Sequence, residues 1–190
     1  MAVIIATVGA ANANSYVTLD EAEAYWQTRI FPDMWDDSED QEAACIMATR
    51  VLDSMAVPHR KLIKMGDAWY YMTDPQWTGA VATSTQALAW PRTGMVDRLG
   101  RAILDTVLPQ ELKDAVSELA GQLSKADRTL DNDVITQGIK SIKAGSVALE
   151  FNEYIGTYVI PDMVWNLMPD SWFTDELVTP ALHGFEFEVL

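Results

Sequence analysis

Leu112, Ala115, Val116, Leu119, Ala120 and Leu123 recur at three- and four-residue steps. This stripe constrains the chain more than any other feature, because such spacing lines one face of an α-helix that must be buried against another apolar surface. Leu108-Pro109-Gln110 marks its start, since the fixed φ and missing N–H of proline suit a first helical turn. Glu111 near the beginning and Lys125 and Arg128 toward the end complement the helix dipole. A second stripe, Ala44, Met47, Ala48, Val51, Leu52 and Met55, offers the partner surface, and Val57-Pro58 closes it. Ser38-Glu39-Asp40-Gln41 reads as its capping box. Another capping box, Thr18-Leu19-Asp20-Glu21, predicts a helix through Ala22, Tyr25 and Trp26 to about Arg29, ended by Phe31-Pro32-Asp33. Met163, Val164, Leu167 and Met168 predict a short helix stopped by Pro169.

Between these helices the texture changes. Met65 to Thr83 holds Trp69, Tyr70, Tyr71 and Trp77 among Gly, Asp and Pro without a sustained period, which reads as a long excursion or paired short strands. Thr83 to Leu88 is expected to form a short helix before Trp90-Pro91, and Arg92-Thr93-Gly94 a turn. Ile139 to Lys143 and Val147 to Phe151 flank Ala144-Gly145-Ser146, the pattern of a β-hairpin. Phe185-Glu186-Phe187-Glu188-Val189 alternates strictly, so this strand is expected to pair with its own chain or with a neighbour's edge.

A length of 190 residues with 49% apolar side chains is enough for one domain with a real core and excludes wholesale disorder. No run of eighteen apolar residues predicts a transmembrane helix, and Met1 to Val8 lacks the basic flank of a signal peptide. The 28 acidic and 13 basic side chains give a formal charge of −15, which argues against non-specific nucleic-acid binding as the main activity. The charge is segregated: nine acids and one base, Arg29, lie between Asp20 and Glu42, and eight acids with no base lie from Ala144 to Leu190. The bases sit between, notably Arg60, Lys61 and Lys64, then Arg92, Arg98 and Arg101. Such polarity suits copies that meet acid against base, or a surface that repels DNA. It also suits a plain solvated surface.

Chemistry is hard to find. One cysteine, Cys45, rules out an internal disulfide, and two histidines, His59 and His183, make a protein-only zinc site a poor reading. Nucleotide, zinc and esterase motifs are absent. Asp36-Asp37 and Glu39-Asp40 are adjacent carboxylates, but helix capping and solvation explain them. Asp127 to Asp133 lacks the spacing and terminal Glu of a calcium loop. We therefore expect no enzyme, no cofactor and no metal. Trp69, Tyr70 and Tyr71 could stack bases, yet no basic residue follows Lys64 until Arg92, and stacking platforms normally sit in a positive groove.

Several segments, in order, resemble one family: Tyr16 to Tyr25 (YVTLDEAEAY), Ala48 to Asp53 (ATRVLD), Gln86 to Arg92 (QALAWPR) with Gly94, and Pro109 to Val116 (PQELKDAV) followed by Glu118-Leu119-Ala120. The pattern, over roughly residues 15 to 160, is similar to the tailed-phage head-to-tail adaptor (connector) family, whose members are often labelled DnaT-like single-stranded-DNA-binding proteins. The resemblance implies a mainly α fold with a β-hairpin: a small helical bundle over residues 1–160 with a loop insertion at about 65–83 and a hairpin arm at about 138–158. The chain departs from the family in the Trp69 to Trp77 excursion and in an acidic C-terminal extension, 161–190, neither of which the motif places. The resemblance implies structural roles for Tyr16, Thr18, Leu19, Ala48, Arg50, Leu52, Asp53, Trp90, Pro91, Arg92, Gly94 and Pro109, with Trp90, Pro91 and Arg92 fixing a turn between bundle elements.

As to function, it implies a virion protein assembled in the host cytoplasm. The expected assembly is a homo-oligomeric ring, of twelve copies, in the neck between the portal protein above and a tail nozzle, tube or stopper below. Double-stranded DNA would pass through its channel without sequence-specific binding, and no membrane is involved. Asp36, Asp37, Glu39, Asp40 and Glu42, with Asp175, Glu176, Glu186 and Glu188, are then expected to face the channel or a basic neighbour. Phe185, Phe187 and Val189 would pack on an adjacent subunit or tail protein. Two other classes stand beside this one: a single-stranded-DNA-binding replication protein using Trp69, Tyr70 and Tyr71 near Arg60, Lys61 and Lys64, and a small acidic hydrolase.

Overall fold

A computed structural model describes residues 2–36, 40–56, 60–65, 68–125, 141–144, 147–150, 160–174 and 177–180. Its helices are α1 (Leu19–Trp26), α2 (Asp33–Asp36), α3 (Gln41–Asp53), α4 (Gln110–Lys125) and α5 (Asp162–Leu167). Its strands are β1 (Arg60–Met65), β2 (Ala68–Thr73), β3 (Ala80–Val81), β4 (Arg92–Thr93), β5 (Ser141–Ala144), β6 (Val147–Glu150) and β7 (Leu177–Pro180). The fold is thus mixed α and β rather than mainly α with one hairpin. None of its described helices is long and apolar enough to cross a membrane.

The predicted stripes form the core. α3 and α4 are the central pair, with α1, α2 and α5 against α4. Ala44, Cys45, Ala48 and Leu52 of α3 and Leu112, Ala115, Val116, Leu119 and Ala120 of α4 are buried, each large aliphatic contributing about 1.5–3 kcal/mol. Burial, with Glu42 adding to it, pushes the Cys45 thiol up to about 12, as befits an inert apolar filler. α1 runs beside α4 in the same sense: Lys113 pairs with Glu21 near their starts, and Arg29 with Glu118 farther along at 3.3 Å. Trp26 joins the two helices by donating from its indole N–H to the Ser117 carbonyl at 3.0 Å and stacking on Trp35.

Two local expectations are corrected. α3 is capped by Asp40, whose carboxylate accepts from the Ala43 N–H at 3.0 Å, and not by Ser38, which lies outside the described residues. Residues 83–88 form turns and bends in place of a helix. The Gln86 side chain is responsible: its carbonyl oxygen accepts from the Thr83 N–H, and its amide donates to the carbonyls of Leu88 and Pro91. Gln86 thereby takes the hydrogen bonds that a helical backbone would make internally.

The strands form three antiparallel sheets. β1, β2 and β7 form a three-stranded sheet in that order, β3 pairs β4, and β5 pairs β6. The β5–β6 hairpin joins Ser141↔Glu150 through Ala144↔Val147, where alternation and Gly145-Ser146 predict a turn. The β1–β2 hairpin settles the texture of the excursion as paired strands. β7 was not foreseen. Asp175, Glu176 and the expected terminal strand Phe185–Val189, including Glu186, Phe187 and Glu188, lie outside the described residues, as do Asp37 and Glu39.

Candidate functional site

The residues carrying the family pattern assemble beneath the surface. Tyr16, 1% exposed, donates its hydroxyl hydrogen bond to Asp53 at the end of α3. The same hydroxyl accepts from the Trp90 N–H at 3.2 Å, and Asp53 accepts from the Ala89 N–H at 2.7 Å. Burial and the adjacent Asp53 carboxylate raise the Tyr16 pKa well above its ordinary value, so the phenol stays a donor. Arg92 turns inward and donates to the carbonyls of Thr78 at 2.7 Å, Ala89 at 3.1 Å and Gly79 at 3.1 Å. Burial lowers its pKa, with Tyr16 and Asp53 acting in the opposite sense.

This clasp ties α3 to the 77–92 loop through a cis Trp90–Pro91 peptide, and Gly94 takes the positive φ of +79° that turns the chain beyond it. Ala48 and Leu52 lie in the core, Thr18 caps α1 with Leu19 as its first residue, and Pro109 is buried just before α4. Arg50 is exposed on α3. The clasp therefore binds the chain to itself: the Tyr16 hydroxyl, the Asp53 carboxylate and the Arg92 guanidinium all have internal partners, whereas the buried Trp90 indole N–H has none among the described residues.

The acidic candidates are scattered by comparison. Asp36 is exposed at the end of α2, Asp40 is spent on the α3 cap, and Glu42 is half-buried. A groove of about 400 Å³ between α1 and the start of α4 is lined by Glu21, Tyr25, Thr28, Gln110 and Asp114. Its two carboxylates make it hostile to phosphate. No cluster of metal-ligating side chains occurs among the described residues.

Among the described residues, four cations besides Arg92 are already engaged. Arg29 and Lys113 pair with Glu118 and Glu21, Arg101 pairs with Asp97 at 2.6 Å, and Arg98 donates to the Asn166 carbonyl. The densest cationic run in the chain, Arg60, Lys61 and Lys64, is β1 itself. Its register with β2 sets Lys64 opposite Trp69, Leu62 opposite Tyr71 and Arg60 opposite Thr73. Residues directly opposite share a face, and alternate residues of a strand share it too. Positions 60, 62 and 64 of β1 and 69, 71 and 73 of β2 therefore lie on one side of the sheet, with Lys64 level with Trp69, Leu62 with Tyr71, and Arg60 one pair farther on. Along the chain these cations and aromatics are separate; the hairpin brings their positions to one face. Tyr71 is 38% exposed on this face.

The sheet is rooted in the aromatic core. Trp77, just beyond β2, donates from its indole to the Leu52 carbonyl at 3.1 Å and stacks on Phe173, with ring centroids 4.8 Å apart. Gln76 and Thr174 exchange two further hydrogen bonds ahead of β7. Sequence reasoning named these cations and aromatics for the single-stranded-DNA alternative but missed the third strand, because β7 joins β2 across about a hundred residues and no local signal announces that pairing.

A family model described as "Putative DnaT-like ssDNA binding protein" matches residues 1–169. No curated protein and no solved structure matches the chain. The match corrects the expected virion assignment, namely a bacteriophage head–tail connector or adaptor that binds a portal, forms a dodecamer and serves genome ejection. The family's description names single-stranded DNA and no place in a particle. The matched stretch takes in the Tyr16–Asp53–Arg92 clasp, all five described helices and the cationic β1–β2 hairpin, so the chain belongs to the family of DnaT-like single-stranded-DNA-binding proteins.

Proposed function

We propose that the protein binds single-stranded DNA on the face of the β1–β2–β7 sheet that carries Arg60, Lys64, Trp69 and Tyr71. The observation carrying this reading is the register that puts two cations and two aromatics at positions on one side of the sheet. Every base has a π-face, so an aromatic platform accepts any sequence, at about 1–3 kcal/mol per stacked base. Cations alongside and beyond the ring positions suit a phosphate backbone that runs beside its bases. The family description supports the same ligand class. Such a protein acts where strands have been separated, as in replication.

The net charge of −15 opposes any polyanion, and it limits the reading to modest affinity rather than excluding it. Anisotropy of a fluorescent twenty-nucleotide dT strand at low salt tests it. The double variant Arg60→Glu, Lys64→Glu should bind at least roughly tenfold more weakly than the wild type, while circular dichroism stays unchanged. Equal affinity for the two proteins would overturn the assignment.

A further inference from the structure

Resting on that reading, we infer that the sheet face selects a stretched single strand, one base per aromatic, over a footprint of three to four nucleotides. Positions 69 and 71 are alternate residues of one strand on one face. Alternate residues of a strand are separated by about 6.8 Å, twice the rise per residue. Stacked bases in a duplex step by about 3.4 Å per strand. Rings set at these two positions therefore match consecutive bases only if the ligand backbone is drawn out to about twice its duplex rise. A single strand can be extended in this way, whereas a duplex would first have to give up its stacking and pairing.

The sheet sets the footprint as well. β1 and β2 are six residues each. At about 3.4 Å per residue the face is about 20 Å long, room for about three stretched nucleotides and part of a fourth. Lys64 stands directly opposite position 69, and Arg60 opposite position 73, one alternate residue beyond Tyr71. Lys64 thus stands level with the first ring position, and Arg60 lies beyond the second. A strand laid along β2 would meet a stacking position with a positive charge beside it, a second stacking position, and then a second positive charge. Thr73, also on this face, offers a hydroxyl that is indifferent to base identity.

A length series tests the inference: dT2, dT4, dT8 and dT12, with a twelve-base-pair duplex, titrated against the full chain at low salt. Affinity is expected to climb steeply from dT2 to dT4. Beyond that it should rise no faster than the number of registers a four-nucleotide site can occupy. The duplex should bind at least tenfold more weakly than dT12. Trp69→Ala and Tyr71→Ala should each weaken dT4 binding about tenfold, whereas Trp69→Phe and Tyr71→Phe, which keep a ring, should recover most of it. Affinity that climbs beyond dT4 faster than the number of registers, or a duplex bound as well as dT12, would overturn the stretched-strand footprint while leaving single-strand binding standing. No binding to any oligonucleotide would overturn both.

Discussion

Gly121 shows how closely the residues of this core are fitted. It lies on α4 under the Trp26 ring, and a Cβ built there would stand 2.7 Å from the ring's Cε2. Trp26 cannot easily retreat, because its indole N–H holds the Ser117 carbonyl at 3.0 Å and its far face stacks on Trp35 at 6.3 Å. Alanine has better helix propensity than glycine by about 1 kcal/mol. Overpacking a dense interior costs about 1–3 kcal/mol, and more where the neighbour is pinned. Gly121→Ala should therefore destabilise the protein despite the propensity gain, lowering the midpoint of urea denaturation followed by tryptophan fluorescence. A raised midpoint would show that Trp26 can shift, and that the α1–α4 contact is looser than its geometry.

At the scale of elements, α1 is held by one side chain that does two jobs. Glu21 accepts from the Thr18 N–H at 2.9 Å to complete the capping box, and it takes the Lys113 ammonium from α4. Partial burial works against its ionisation, but the bonds from Lys113 and Thr18 outweigh this and leave its pKa below the usual glutamate value. A depressed folded-state pKa means that the stabilisation is present above the unfolded value, about 4.3, and is lost as pH falls through the folded value. Glu21→Gln should thus melt below the wild type at pH 7, and the gap should close as pH is lowered past about 4. A gap independent of pH would assign the loss to packing rather than to charge. This cap was legible in the sequence because Thr18 and Glu21 are three residues apart, as were the α3 and α4 stripes, whose spacing alone dictates a face. The sheet was legible only as one of two readings of the 65–83 texture, since Lys64 and Trp69 become neighbours only once the register is set. The motif around Trp90 was visible as a pattern with Arg92 at a turn, but the four carbonyls that Arg92 gathers there were not. Equally, Gln86 drew its short segment out of the helix its residues suggested, since side-chain bonds replaced backbone ones.

For the molecule as a whole, the cationic hairpin sits in a chain of formal charge −15, and on the proposed reading the two would act on DNA over different distances. Contacts made by Arg60 and Lys64 would release counterions from the strand, and the associated affinity would fall as salt rises. The acids elsewhere would repel the same strand from farther away, and salt would relieve that repulsion, since screening at 0.1 M reaches about 10 Å. Two cations on one face limit the slope of log affinity against log salt to about −1.4, from about −0.7 per contact. Relief of the long-range term should flatten it further below about 0.1 M salt. Anisotropy titrations of a dT strand between 25 and 300 mM salt should therefore give a shallow curve, steepening at the upper end. A uniform slope of −4 or beyond would require more phosphate contacts than the hairpin can supply. It would move the DNA path onto other cations, among them Arg50 and Lys125, which are exposed. A shallow slope that disappears in the Arg60→Glu, Lys64→Glu variant would instead fix the path on β1, with the acidic remainder setting how slowly DNA arrives and how readily it leaves.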